Sequence, residues 1–339
     1  MNAPMKPDAQ SPFLPGTKIL YAWSSTTLDL LKTCPRKYEY VVVQGWGSRD
    51  ESIHLRFGRE YHHALQDYSI ARAEGMHHED AIHECIRALH SRTFDWAPDR
   101  NTRAGRYKNR ESLLGLVVDY LDHFGADDPA KTFILDDGKP AVELSFRFEL
   151  DWGPGMPMYG KPASAGDDWK PEFAQPYLLC GHLDAVVSFS GDLYVMDRKT
   201  SLTTIGTYWF DQWSPSNQMT LYALAGKIML NQPIKGVILD AAQVLLEKPN
   251  AFARGFAYRS EDQLAEWLTD LRYWLREAED YATAGYWPQN DTACNKYGGC
   301  QFREVCSRSP SVRETYLASM FDKIDVINSY ANPFYDRES

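Results

Sequence analysis

The chain has 339 residues, of which 44% are hydrophobic and 13% aromatic; this suits a sizeable core and excludes a long disordered protein. Its formal net charge of -10 argues against a broad phosphate-binding surface, although a local basic patch or a carboxylate-built metal site escapes that argument. No apolar run is long enough to cross a bilayer, so no membrane partner is expected.

Residues 1–20 read as a flexible arm. Met1 to Gly16 carries Pro, Asp and Gln and no hydrophobic signal-peptide segment, so a cytoplasmic location is the default expectation. Ser24 or Ser25 can cap a short helix over Thr26–Thr33, which Cys34-Pro35 ends. Helical patterns follow near Gly58–Glu74, His78–Phe94 and Glu111–Phe124. Between the last two lie Arg100, Arg103, Arg106, Lys108 and Arg110, with Tyr107 among them. This stretch reads either as a DNA-binding patch or as a solvated helix face or loop.

The period then shortens. Ala141–Leu150 reads as a strand, Asp151–Pro176 as a Gly- and Pro-rich loop, and Tyr177–Phe189 and Leu193–Thr200 as two strands joined at Ser190-Gly191-Asp192. Ser214-Pro215 looks like a helix start with Pro at the first helical position, and that helix runs to about Leu230. Further strands are expected over Gly236–Leu246 and Ala253–Tyr258. A long helix follows over Glu261–Ala284, capped by Ser260, with a polar tail after the last cysteines. Helices, a block of strands, a helix, more strands and a final helix make a mixed α/β arrangement around a central sheet. The reading divides the chain into a helical portion over 21–135, a core over 136–285, a cysteine loop over 286–310 and a tail over 311–339.

Asp197 and Lys199 are two apart on a strand and share a side with Leu193 and Val195. A carboxylate and an ammonium at the end of an apolar row are costly unless paired or metal-bound. Asp184 lies on the preceding strand, where hairpin pairing can bring it near Asp197. Two carboxylates and a lysine make a candidate site for a hard divalent cation, Mg²⁺ or Mn²⁺. The bland alternative is an Asp–Lys ion pair at a strand end. Gln218 and Tyr222 lie four apart on the next helix, hence on one face. Glu143, on the strand before the hairpin, reads as an exposed strand charge.

Gly181-His182-Leu183-Asp184 followed by Asp197-Arg198-Lys199, then Gln218 to Tyr222, with Gly58 to His62 upstream, resembles the RecB-like nucleases of the PD-(D/E)XK superfamily. The motif spacing picks His62 and not His63, and the resemblance also implies an acidic residue of undefined role at Glu143, beside its reading as an exposed strand charge. The resemblance implies a restriction-endonuclease-like α/β core over 136–285, a central mixed sheet flanked by helices. It implies a DNA phosphodiester hydrolase, exodeoxyribonuclease-like and acting on single strands or ends. His62, Asp184, Asp197 and the Arg198 backbone carbonyl would hold the cation. Lys199 would orient the attacking water, Gln218 would orient the lysine or water, and Tyr222 would contact the phosphate backbone. The rival readings are a catalytically decayed DNA-binding or scaffold module, and an endonuclease subunit of a larger helicase–nuclease complex. No phosphate-binding motor motif is present, so a helicase, recombination or CRISPR partner would supply any motor.

Six cysteines remain to be placed. Cys85 falls in a helical pattern and Cys180 in a strand, as small buried hydrophobes. Cys294, Cys300 and Cys306 stand five residues apart beside Tyr297-Gly298-Gly299, and Cys34 lies about 260 residues upstream. One distant cysteine plus a C-terminal triplet resembles the 4Fe–4S clasp of RecB-like and CRISPR-associated exonucleases, which would join the two ends of the chain. Zn²⁺ is one alternative, although structural zinc usually takes shorter paired spacings, and free buried thiols are the blandest.

Overall fold

A computed structural model describes residues 11–125, 127–155, 175–295 and 299–325. Residues 1–10 of the expected arm, most of the expected Asp151–Pro176 loop, Tyr297-Gly298 and the tail beyond 325 lie outside the described residues.

In chain order the elements begin with β1 (Ala22–Trp23), α1 (Ser25–Thr33), α2 (Pro35–Tyr38) and β2 (Trp46–Gly47). Ser24 caps α1, accepting the N–H of Thr27. Pro35 ends α1, as expected, and then opens α2, which runs into a π-helical turn over Glu39–Val43. Next come α3 (Ile53–Ala73), α4 (His78–Arg92), α5 (Arg103–Tyr107) and α6 (Arg110–Phe124), then β3 (Lys131–Thr132) and β4 (Val142–Glu149). The hairpin strands are β5 (Leu178–Phe189) and β6 (Asp192–Ser201). The two residues between them, Ser190 and Gly191, have φ of 53° and 87°, the left-handed pair that a tight hairpin turn needs. The remaining elements are α7 (Thr207–Asp211), α8 (Asn217–Leu230), β7 (Ile234–Gln243), β8 (Ala251–Ala257), α9 (Glu261–Ala284), α10 (Arg303–Cys306), α11 (Arg313–Met320) and β9 (Asp322–Lys323).

Three expectations need correcting. Pro215 is not the first helical residue: Ser216 caps α8 by accepting from Met219 N, and the helix begins at Asn217. The part of the tail that is described is not featureless, since it holds α11 and β9. The arm is not loose over residues 11–20, where Leu14, Ile19 and Leu20 are buried and Phe13 bridges Leu20.

The chain forms two compact units. The first takes residues 1–49, 145–181 and 261–339, and the second takes 50–144 and 182–260. In the first, β1 runs parallel to the start of β5 at Leu178 and Leu179, and β2 pairs with β9. In the second, β5 and β6 are antiparallel, β6 and β7 parallel, and β7 and β8 antiparallel. This is a mixed sheet. Helices α3, α4 and α6 close around Phe57, Tyr61, Leu65, Leu89, Leu116 and Leu121.

The two faces of β6 have different tasks. Tyr194 and Met196 join Ala185, Val187 and Ile238 in one apolar cluster. Val195, Asp197 and Lys199 point the other way by the two-residue period. Helix α8 lies over that second face. A Cβ on Gly226 would come within 2.7 Å of Val195 Cγ2, so only glycine lets the helix approach this closely.

Candidate active site

The hairpin register sets Ala185 opposite Met196 and Val186 opposite Val195. One step further along, Asp184 and Asp197 project from neighbouring strands on the α8 side. Both are buried, at 7% and 1% exposure. Lys199 Nζ lies 2.8 Å from one Asp197 oxygen and 2.7 Å from the other. The Asp197–Lys199 ion pair, the bland alternative to a metal site, is present.

Helix α3 brings His62 to the same place. Its Nδ1 lies 3.3 Å from Asp184 Oδ1, and its Nε2 is 2.9 Å from the Arg198 carbonyl oxygen. The Arg198 N–H donates to Asp184 Oδ2 at 2.7 Å. His63, the rejected neighbour, instead faces Glu60 at 3.8 Å. Arg198 thus contributes its backbone, not its side chain, to this group.

One member was misjudged from sequence. Glu143 is half-buried, not an exposed strand charge. Ligand atoms of His62, Glu143 and Asp184 all lie within 4.8 Å of one another. Its backbone φ is 47°, a conformation that costs a non-glycine residue energy and that clusters at functional sites. No sequence pattern signals a strained glutamate. Asp197 stands outside that three-residue group, held by Lys199.

The electrostatics follow from crowding acids in a dry place. Burial raises the Asp197 pKa, and the Asp184 charge raises it further; Lys199 opposes both, and the net direction is up. Asp184 moves the other way. Burial would raise its pKa, but the His62 ring, Lys199 and the Arg198 N–H outweigh that and hold it well below the usual carboxylate range. Burial works against a charged His62, yet the Asp184 carboxylate prevails and its pKa is raised. Ligand atoms on one Mg²⁺ each stand about 2.0–2.1 Å from the ion, so no two are more than about 4 Å apart. The His62–Glu143–Asp184 spacing needs only small side-chain adjustment to fit such an ion. Two carboxylates, an imidazole and a nearby backbone carbonyl suit Mg²⁺ or Mn²⁺.

Gln218 donates to the Tyr222 hydroxyl at 3.1 Å, the i to i+4 contact expected on α8. Tyr222 is buried, and its pKa is raised well above normal, first by burial and then by the charges of Asp197, Asp184 and Glu143. Trp213, which the sequence did not single out, has its ring centroid 5.2 Å from Lys199 Nζ.

The basic stretch does not form one surface. Arg103 and Arg106 are exposed and Arg100 pairs with Glu111, but Arg110 stacks over Phe94. Lys108 is inside, 3% exposed, donating to Thr200 Oγ1 at 2.9 Å. Cys85 and Cys180 are buried as expected, their thiols pushed up to about 12 by burial.

In the first unit, Asn290 donates its N–H to Cys34 Sγ at 3.4 Å and its side chain to the Thr33 carbonyl at 2.8 Å. A cavity of about 240 Å³ is lined by Cys34, Lys37, Asn290, Cys294 and Cys300. Among the described residues, no three of the cysteine sulfurs lie within 4.8 Å of one another, so they do not form the tight group that His62, Glu143 and Asp184 form.

An α/β core with a mixed sheet presents buried acids, an imidazole and a paired lysine at one strand end, a group of side chains that could hold a metal ion. The family model of the PD-(D/E)XK nuclease superfamily matches residues 22–307, and the chain belongs to that superfamily. It is therefore a hydrolase acting on nucleic acids. Its backbone is similar to the crystal structure of a candidate exonuclease from Eubacterium rectale, with 11% identity and a TM-score of 0.47, covering 87% of this chain and 92% of that one. It is also similar to the crystal structure of SSO0001, with 14% identity and a TM-score of 0.32, covering 85% of this chain and 86% of that one. No curated protein matches the chain. Among the described residues no helix is long and apolar enough to cross a membrane.

Proposed function

We propose that the protein is a divalent-metal-dependent DNA exonuclease of the RecB-like kind, working on single strands or free ends. The observation that carries this reading is the convergence of His62, Glu143 and Asp184 beside the Asp197–Lys199 pair. His62, Asp184, Glu143 and the Arg198 carbonyl would hold Mg²⁺ or Mn²⁺, with Asp197 a further ligand once Lys199 turns towards substrate. A bound cation supplies Lewis-acid polarisation of the phosphate and a more acidic water.

The residues of the chain do the rest. Lys199 orients the attacking water and offsets charge developing on the phosphate. Trp213 holds the ammonium of Lys199 through its ring face and limits its wandering. Gln218 and Tyr222 form one hydrogen-bonded unit on α8, in which Gln218 orients the lysine or its water and Tyr222 faces the backbone of the substrate. The intact acids and lysine favour this over a decayed binding module.

Circular and linear single-stranded DNA separate the remaining rival. With Mg²⁺ or Mn²⁺, linear 5′- and 3′-labelled strands should be degraded from one end while closed circles survive. Cleavage of the circles would replace the exonuclease reading with the endonuclease one.

The four cysteines belong to the same proposal as the ligands of a 4Fe–4S cluster. Burial raises the thiol of Cys294, and the neighbours it then feels are Cys300 and Cys34. Cys306 is raised by burial while Arg36 and Arg313 beside it favour the thiolate, and it too feels Cys34 and Cys300. Zinc draws its four sulfurs to about 2.3 Å from one ion, whereas a cubane places each thiolate on a different iron and spreads them. The long, unpaired spacings of the cysteines in sequence favour the cluster over zinc. Anaerobically purified protein should be brown and hold iron and acid-labile sulfide in equal amounts; colourless, zinc-loaded protein would overturn the assignment.

A further inference from the structure

The segment that leaves β6 is rich in rings and free of cations. Between Lys199 and Lys227 the chain has no Lys or Arg, but it carries Tyr208, Trp209, Phe210 and Trp213. The Trp213 ring centroid lies 5.2 Å from Lys199 Nζ. Trp209 comes next, its ring centroid 5.8 Å from that of Trp213. Tyr208, beside it on α7, is 92% exposed. A row of rings thus leads from the candidate active site out into solvent.

The row is fixed in place. A Cβ on Gly255 would collide with the Phe210 ring, so the bare glycine lets Phe210 anchor α7 against β8. Tyr208 stands two residues earlier and therefore on roughly the opposite side of the helix. Gln212 Nε2 donates to the Trp209 carbonyl at 2.7 Å, and Arg259 Nη2 to the Trp213 carbonyl at 3.2 Å. The other Arg259 donors go to the Thr220 hydroxyl and the Tyr258 carbonyl, so this cation too is turned to the protein. The one charged residue of α7, Asp211, is an exposed acid, which disfavours a phosphate there. A held, exposed aromatic surface calls for a partner, and one without cations suits flat uncharged rings.

We propose that Tyr208 and Trp209 are specificity-determining residues that stack on unpaired bases of the strand being cut. The proposal rests on the nuclease reading, because the row begins at Lys199. Every base has a π-face, so such stacking tolerates any sequence. In a duplex those faces are covered by the neighbouring pairs, so the rings select single strands and frayed ends. A contact of this kind releases no counterions, which separates it from a phosphate-binding surface.

Fluorescence anisotropy of the full chain, in EDTA so that no strand is cut, tests this. The probes are labelled oligothymidine, an abasic strand of the same length and a blunt duplex. The variants are Tyr208→Ala, Trp209→Ala and Tyr208→Phe, which keeps the ring. Oligothymidine should bind more tightly than the other two probes. Each alanine variant should weaken it about tenfold or more, a difference of about 1.4 kcal/mol, with abasic binding and the salt slope unchanged, and Tyr208→Phe should bind like the wild type. No binding, oligothymidine held no better than the abasic strand, or an equal loss on both overturns the proposal. Binding unchanged in both alanine variants also overturns it and leaves the rings to a protein partner. Cleavage with Mg²⁺ is measured separately, so a chain that stacks bases yet cuts nothing loses the nuclease reading alone, and a chain that cuts but ignores the loss of its rings loses this one alone.

Discussion

Lys108 shows how little a charge in sequence says about where it ends up. Five cations within eleven residues suggested a nucleic-acid patch, but Lys108 is packed against Phe57 and bonded to Thr200. Burial lowers its pKa to about 8. A lysine held below its unfolded pKa of about 10.4 makes the native state bind protons less tightly than the unfolded one. Its burial is a cost at neutral pH, and the cost is relieved as pH rises from about 8 towards 10.4. Lys108→Met should therefore raise stability at neutral pH by up to about 2–3 kcal/mol. Thermal unfolding across that range should show the gain shrinking with alkalinity. Glu143 is the opposite lesson: its sequence position looked ordinary, and only a left-handed backbone turn delivers its carboxylate to the site.

Helix α8 was legible where pattern dictates structure and misread where a turn intervenes. The Gln218–Tyr222 pair follows from the helical period, and the hairpin from Ser190-Gly191. The start of α8 did not, because Ser216 caps the helix after Pro215 and a proline before a cap looks the same in sequence as one inside the first turn. The short helices α2, α5 and α7 carry too few residues to show a period. Gly226 gives this element a test against intuition. Alanine improves intrinsic helix propensity by about 1 kcal/mol, yet its methyl would meet Val195 at 2.7 Å and Ile234 at 3.3 Å. Gly226→Ala should instead destabilise by about 1–3 kcal/mol through overpacking, read as a lowered denaturant midpoint. A stabilised variant would show that α8 can shift off β6 at no cost.

For the molecule as a whole, the division into units escaped the sequence because no flexible linker marks it. Strands β4 and β5 themselves carry the chain from one unit into the other, and the first unit is assembled from three separated segments. Within it, Arg36 donates to the Trp287 carbonyl at 3.2 Å and Asn290 reaches Thr33 and Cys34, tying residues more than 250 positions apart. Closing so long a loop costs the folding chain conformational entropy. If a cluster holds those contacts, Cys300→Ser should lose iron and lower the unfolding temperature by several degrees. A colourless, active variant of unchanged stability would dismiss the cluster as a structural clasp.

The most direct test of the nuclease assignment is cleavage of end-labelled single-stranded DNA by the wild-type chain, Asp184→Ala and Lys199→Ala. Each is assayed with Mg²⁺ or Mn²⁺ and with EDTA, alongside circular dichroism. The geometry predicts metal-dependent cleavage that falls by about 10²–10⁴-fold in either variant while the folded spectrum is unchanged. Cleavage that persists in EDTA, or that survives intact in both variants, would contradict it.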